Sequence, residues 1–291
     1  MEPKRRIEKK SSRTAAYTCM CRASSYLEKD SQFKSGDYIA VKLLPKFIKI
    51  LLKSNILKLK GRISPQGIYP YVIARTKYID HLFTKAIKNG FEQVLILGSG
   101  FDSRAIRLLR SNDLVNVYEI DTYNLMKAKL KQYKKRNISQ PENNIFIPID
   151  FNKEVLSTKL NENGFKGNKK TLFILEGLIM YLNKEEVKEI FKLIYDYSSS
   201  GSLVVFDYVY ASVLRRENKY YGEKAIYRRV KKDKEQWIFG NEDGEIGDFL
   251  QDHKLSLVEH LDSIALEKKY FLNESGTIKT KINGTHCLVL A

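Results

Sequence analysis

With 291 residues, 43% of them hydrophobic and 29% charged, and only 16 Gly and 6 Pro, the chain has the material for one packed globular domain and is neither low-complexity nor collagen-like. Its apolar runs, such as VLIL at 94–97, fall short of the roughly 20 residues a membrane-spanning helix needs, and the basic N-terminus lacks the apolar region of a secretory signal, so the reading is cytoplasmic, without a transmembrane segment. A formal charge of +17 favours contact with anions, whether nucleic acid, acidic lipid or a carboxylate or phosphate substrate, while lysines spread along the whole chain also fit a lysine-biased composition.

Residues 1–13 read as a basic flexible tail. From Thr14 onward, Ala15, Cys19, Ala23 and Tyr26 recur every three or four positions, which predicts a helix with Thr14 at its N-cap. Asp37 opens an apolar stretch, YIAVKLLPKFIKILLKSNILKLK, where lysines interleave with Leu and Ile and Pro45 starts or kinks a helix. Such a segment either covers a core or lies on a membrane surface. Ile68, Val72, Ile73, Ile79, Leu82, Phe83 and Ile87 then keep the helical period up to a stop at Asn89-Gly90, so that 14–90 forms a helical cap.

At residue 92 the period changes. EQVLILGSG, VNVYEID, NIFIPID, TLFILEG and GSLVVFDYV read as short buried strands, with helical patterns between them, and the second, third and fourth end in acids. Strands alternating with helices argue for a parallel sheet covered on both faces, with ligands bound beyond the carboxyl ends of its strands. This core spans 91–210. Residues 211–245 break the alternation with a charged, tyrosine-containing stretch too polar for core, predicted to be an inserted lid or a surface helix pair. The rest, 246–291, returns to a helix (EIGDFLQDHKL), a strand-like SLVEHL and a closing apolar strand, THCLVLA, predicted as a hairpin on the sheet edge. The layout from 14 to 291 is thus one domain.

Gly98-Ser99-Gly100 lets backbone approach a ligand closely at the start of a helix. A dinucleotide fingerprint needs a third glycine at 103, where Ser103 stands, so NAD and FAD are disfavoured. Asp121 follows Gly100 by 21 residues and closes the second strand, where a carboxylate accepts from both hydroxyls of a ribose; the alternative is that Glu119 and Asp121 end the strand in solvent. Asp150 offers an acceptor for an adenine amino group and Phe151 an aromatic ring beside it. Glu176-Gly177 closes the fourth strand, without the Asn- or Asp-Pro-Pro-aromatic string of base amino-methyltransferases. Cys19, Cys21 and Cys287 lie away from this region and read as reduced structural thiols, so cytosine methylation through a nucleophilic cysteine is disfavoured as well. His81, His253, His260 and His286 show no ligand spacing, and no metal site is predicted.

Taken together, RTAAYTCMCRA, ARTKYIDHLFTKAIKNGFEQVLILGSGFDSRAIRL, YEID, IPIDF, FILEGLIMYL and VVFDYV resemble the leucine carboxyl methyltransferase-like family of class I S-adenosylmethionine-dependent methyltransferases, including its bacterial branch of small-molecule O-methyltransferases. The resemblance runs from about residue 13 to 210. It implies a Rossmann-like α/β fold with a mostly parallel seven-stranded sheet, helices on both faces, an N-terminal helical extension and a lid after the fifth strand. It further implies that Arg75 pairs with the carboxylate of the methionine part of S-adenosylmethionine, that the backbone at Gly98 and Gly100 contacts that part, and that Glu176 takes its amino group. Asp121 would hold the ribose, and Asp150 and Phe151 the adenine; Asp102 and Arg104 would pin the glycine turn, with Asp102 starting the helix after it. Tyr181 either borders the acceptor or packs beneath the next helix. The function implied is O-methylation of a small, anionic or hydroxylated acceptor by in-line displacement. An RNA-associated methyltransferase using Arg215, Arg216, Tyr220, Tyr221, Arg228 and Arg229, and a cofactor-binding protein without catalysis, are the alternatives.

Overall fold

In the computed structural model, which describes residues 13–53, 64–151, 153–233 and 235–291, the apolar runs form β1 (Gln93–Leu97), β2 (Asn116–Thr122), β3 (Asn144–Ile149), β4 (Thr171–Leu175), β5 (Leu203–Val209), β6 (Glu259–Leu261) and β7 (His286–Leu290). Among the described residues they make a seven-stranded sheet of order β3-β2-β1-β4-β5-β7-β6. The first five strands pair in parallel, and β7 runs antiparallel between β5 and β6. This is the expected α/β, Rossmann-like sheet. Its order reverses direction between β1 and β4, which opens a crevice beyond their carboxyl ends.

A period of two sends alternate residues to opposite faces. Val94 and Ile96 of β1 join one core and Leu95 and Leu97 the other. On the first face lie α1 (Arg13–Tyr26), α2 (Tyr38–Leu43), α3 (Lys46–Lys53) and α4 (Ile68–Lys88), with α5 (Arg104–Leu108) and α6 (Tyr123–Lys135) following β1 and β2. The second face is covered by α7 (Leu156–Glu162), α8 (Lys184–Tyr197) and α11 (Ile246–Asp252). The stop and start signals act as their chemistry dictates. Asp37 caps α2 by accepting from Ala40 N at 2.9 Å, Pro45 separates α2 from α3, and Asn183 with Glu186 forms a capping box on α8.

Three expectations change: the Thr14 cap, the exclusion of 211–245 from the core and the closing hairpin. The predicted tail lies outside the described residues except for Arg13, from which α1 is described, so Thr14 sits within the helix and not at its cap. The carboxylate that accepts from the backbone N–H groups of Arg13 (2.8 Å) and Thr14 (3.2 Å) belongs to Glu235, far along the chain. The stretch 211–245, read as too polar for core, contributes α9 (Ala211–Leu214) and α10 (Glu223–Asp233) and buries Val213, Ile226 and Phe239. Most of its charges face outward, while these few apolar residues and the carboxylates of Glu223 and Glu235 are buried. The last two strands are not a hairpin, since α12 (Ser263–Phe271) intervenes and β7 inserts between β5 and β6.

Candidate functional site

A cavity of about 920 Å³ opens beyond the carboxyl ends of β1 and β4 and runs under α1 and α10. Its floor is the glycine turn. Gly98 and Gly100 take φ of 67° and 51°, and a Cβ on Gly98 would stand 3.0 Å from a methyl of Leu178. A side chain at either position is therefore strained, and at 98 also crowded. The turn is laced to β2: Ser99 N donates to Ile120 O (3.0 Å), Gly100 N donates to Asp121 Oδ2 and Thr122 N to Asp121 Oδ1, both at 2.7 Å. Asp121 is 6% exposed, and burial pushes its carboxyl up while these backbone donors oppose the shift. Ser99 lines the cavity, and its buried hydroxyl has no hydrogen-bond partner.

Behind this turn, Glu119 does not end in solvent: it is buried, ion-paired with the equally buried Lys129, and accepts from Asn144 Nδ2 at 3.2 Å. Asp102 bonds the backbone N–H of Arg104 and pairs with its guanidinium, pinning the turn, while the residue preceding α5 is Ser103, so Asp102 is not the start of that helix.

At the end of β4, Glu176 meets Arg104 Nη2 at 2.8 Å and Arg75 Nε at 3.0 Å. Burial alone would raise its carboxyl pKa, but Arg104, Arg75 and Arg22 together hold it down at about 2. Arg75 is in turn clamped by Asp207 Oδ2 (2.6 Å), which also accepts from Tyr71 Oη (2.8 Å). Asp207 Oδ1 accepts from the backbone N–H of Gly177. One buried carboxylate on β5 thus fixes the arginine, a tyrosine and the turn after β4.

The far wall is aromatic. Tyr181 follows this turn in a short 3-10 helix (Ile179–Tyr181) and lines the cavity with Tyr17, Tyr71, Trp237 and His286. Arg229 of α10 reaches the same wall and lies 5.3 Å over the Tyr17 ring. The His286 ring lies 4.6 Å from Tyr71 and 5.1 Å from Trp237; burial lowers its pKa to about 4, so it is neutral near pH 7.

Of the residues singled out in the sequence, Arg75, Gly98, Gly100, Asp121, Phe151, Glu176 and Tyr181 all line this one cavity. Phe151 is 50% exposed at its rim. Asp150 does not line it; its carbonyl accepts from Lys153 N and Glu154 N at 2.9 Å in the turn after β3. Asp207, Tyr71, Glu235 and His286 were missed. An acid inside the otherwise apolar β5 was a signal for the first; the other three carry none. Of the arginines of the RNA reading, Arg215 pairs with Glu217 and Glu242, and Arg216 stacks over Tyr227. Cys19, Cys21 and Cys287 are buried free thiols. Among the described residues no group of three or more His, Cys, Asp or Glu is arranged to hold a metal ion, and no helix is long and apolar enough to cross a membrane.

Residues 37–195 match the leucine carboxyl methyltransferase family. The chain is 31% identical over 139 residues to the "Putative S-adenosyl-L-methionine-dependent methyltransferase YktD" of Bacillus subtilis, covering 48% of this chain and 45% of that protein. It is 32% identical over 145 residues to a protein of the same description, without the final designation, from Mycobacterium marinum, covering 50% and 48%. The match thus spans about half the length of these curated relatives. In fold, the chain is similar to the crystal structure of a "putative methyltransferase" from Thermobifida fusca (TM-score 0.57, 13% identity, 97% of this chain and 94% of that one). It is also similar to a DUF574 family protein from Streptomyces avermitilis (TM-score 0.53, 12% identity, 97% of each).

Proposed function

The chain belongs to the leucine carboxyl methyltransferase family, and from that premise we propose that it is an S-adenosylmethionine-dependent O-methyltransferase acting on a carboxylate or hydroxyl of a small molecule. One observation carries this reading: the cavity places an arginine and a fully ionised glutamate side by side, next to a glycine turn with an orphaned hydroxyl. The methionine part of the cofactor is a zwitterion, and such a pair complements it, Arg75 toward the carboxylate and Glu176 toward the ammonium. Ser99 Oγ and the backbone at Gly98 and Gly100 supply further polar contacts beside them. Asp121, with lone pairs left after its two backbone bonds, takes the ribose hydroxyls. Phe151 offers its ring to the adenine, while Asp150 supports that recognition by shaping the turn through its carbonyl.

When bound, the cofactor supplies an electrophilic methyl group on a sulfonium. The protein's share is to orient the acceptor and exclude water. Within our division of the chain into cap (14–90), core (91–210), lid (211–245) and sheet edge (246–291), the lid contributes Arg229 and Trp237 to the acceptor end. Arg229 orients an anionic acceptor, and Tyr181 borders it. A carboxylate is already a nucleophile at neutral pH and requires no general base. His286, neutral and hydrogen-bonded through Nδ1 to Thr285 Oγ1 at 2.8 Å, serves to shape the wall.

Calorimetry tests the cofactor assignment. S-adenosylhomocysteine should bind and NAD should not. Asp121→Ala should weaken S-adenosylhomocysteine by about 2–4 kcal/mol in a protein that remains folded, from the loss of charged hydrogen bonds in a partly desolvated site. Unchanged affinity in the folded variant would place the ribose elsewhere, and NAD binding without a response to S-adenosylhomocysteine would overturn the reading. Methyl incorporation into a panel of small carboxylic acids and their alcohol analogues then separates the two acceptor types.

A further inference from the structure

Between Asp37 and Asp80 the sequence contains no acidic residue, yet 42–62 holds six lysines and Arg62 among Leu, Ile and Phe. In a core-covering helix that half-buries one face, the outward positions are polar. α3 departs from this pattern. Leu52 is buried and Ile48 packs on the core, but Phe47 and Ile50, three residues apart on one face, are 63% and 66% exposed. Exposed lysines flank them: Lys46 precedes Phe47, and Lys42 lies at the end of α2 over the ring of the partly exposed Tyr38. None of these residues lines the cavity, so the site described above does not account for them.

We infer that this face docks on an anionic phospholipid bilayer, with Phe47 and Ile50 entering the headgroup–acyl boundary and the exposed Lys42 and Lys46 beside them meeting lipid phosphates. Two independent features select this partner. The apolar pair favours a surface that takes up side chains singly, and the acid-free run of cations favours one that is negative throughout. The pair is too small to seat a stable protein–protein interface by itself. Nucleic acid would accept the cations, but it takes up an apolar side chain only where base steps are unstacked, whereas a bilayer boundary takes up both side chains without that cost.

The test is co-sedimentation of the full chain with vesicles of pure phosphatidylcholine and of phosphatidylcholine mixed with phosphatidylglycerol. The double variant F47S/I50S is compared with wild type at low and near-physiological salt. Binding should require phosphatidylglycerol, weaken as salt rises, and fall at least about tenfold in the double variant. S-adenosylhomocysteine affinity and circular dichroism should stay unchanged, showing that the variant is folded. No binding to phosphatidylglycerol vesicles would overturn the inference. So would binding that the double variant retains in full, since that is the generic attraction of a +17 protein. A wild-type dimer that the double variant converts to monomer, without vesicle binding, would assign the face to a second copy of the chain instead.

Discussion

Glu176 and His286 are both buried titratable groups on the cavity wall, and they bias stability in separate pH windows. Glu176 is held at about 2 against an unfolded value near 4.5, so its contribution is fully present above about pH 4.5 and is lost as pH falls through 2. His286 is held at about 4 against 6.5, because burial disfavours its charged form. The unfolded chain therefore takes up that proton first, and the protein loses stability as pH falls from about 6.5 to 4. Each shift corresponds to about 3 kcal/mol. Denaturant unfolding as a function of pH should show His286→Gln abolishing the upper slope and leaving the lower one. Glu176→Gln should be strongly destabilised near neutrality, by about 3–5 kcal/mol, because Arg104 and Arg75 lose the charge they share. Its deficit should shrink by about 2 kcal/mol on going from about pH 6 to about pH 3. A deficit independent of pH would mean that Glu176 acts through packing and not through its charge. At this scale the sequence was legible where a residue's place follows from its neighbours in the chain. That Asp121 lines the cavity was readable from its distance to Gly100, and that Glu176 does so from its position at a strand end. Asp207, by contrast, acts on Tyr71 and Arg75, 136 and 132 residues away, and no local pattern encodes those separations.

Among elements, the strands and the long helices were the readable part, because a change from period 3.6 to short continuous apolar runs is a property of the sequence itself. α4 was expected to end at Asn89 and does, with Asn89 N donating to Lys85 O and Ala86 O. The polarity of 211–245 was misread for a physical reason: composition averages over a segment, whereas burial is decided residue by residue, and Ile226 and Glu235 are buried in a stretch that is mostly charged. Glu235 shows the consequence. Its carboxylate accepts from the N–H groups of Arg13 and Thr14 and from the Thr14 hydroxyl, which ties this stretch to α1 at the cavity wall. Removing 213–240 would take Val213, Ile226 and Phe239 out of the core, so a point variant tests the lid better than a deletion does. Glu235→Ala should cost about 1–2 kcal/mol of stability, the usual value of a lost helix N-terminal acceptor, and should speed S-adenosylhomocysteine release in stopped-flow measurements. Glu235→Gln, which keeps one acceptor oxygen, should fall between the two. Equal release rates in all three proteins would show that the contact stabilises α1 without gating the cavity.

For the molecule as a whole, the cavity is walled by parts drawn from the full length of the chain: α1 through Thr14 and Tyr17, the glycine turn, the turn after β4, α10 through Arg229, and β7 through His286. The sheet order that brings β7 beside β5 is what sets His286 against Tyr71 of α4, and that order was not legible, since antiparallel insertion between two strands leaves no mark in local periodicity. The closure has a measurable consequence. A ligand that binds only the folded chain stabilises it by about 2.7 kcal/mol at about 100 times its dissociation constant. For a chain of this size that corresponds to a rise of about 5 °C in Tm. S-adenosylhomocysteine should produce a shift of that order, and NAD none. Hydrogen exchange should then distinguish a ligand held by the whole enclosure from one held by the turn alone. If the cofactor contacts hold the walls together, protection should rise in the glycine turn, at the N-terminal end of α1, in α10 and in β7, although α1 and β7 are separated by almost the entire sequence. Protection confined to 98–104 and 121–123 would mean that the ligand engages the turn without closing the wall, and that the aromatic end of the cavity is organised by the acceptor instead.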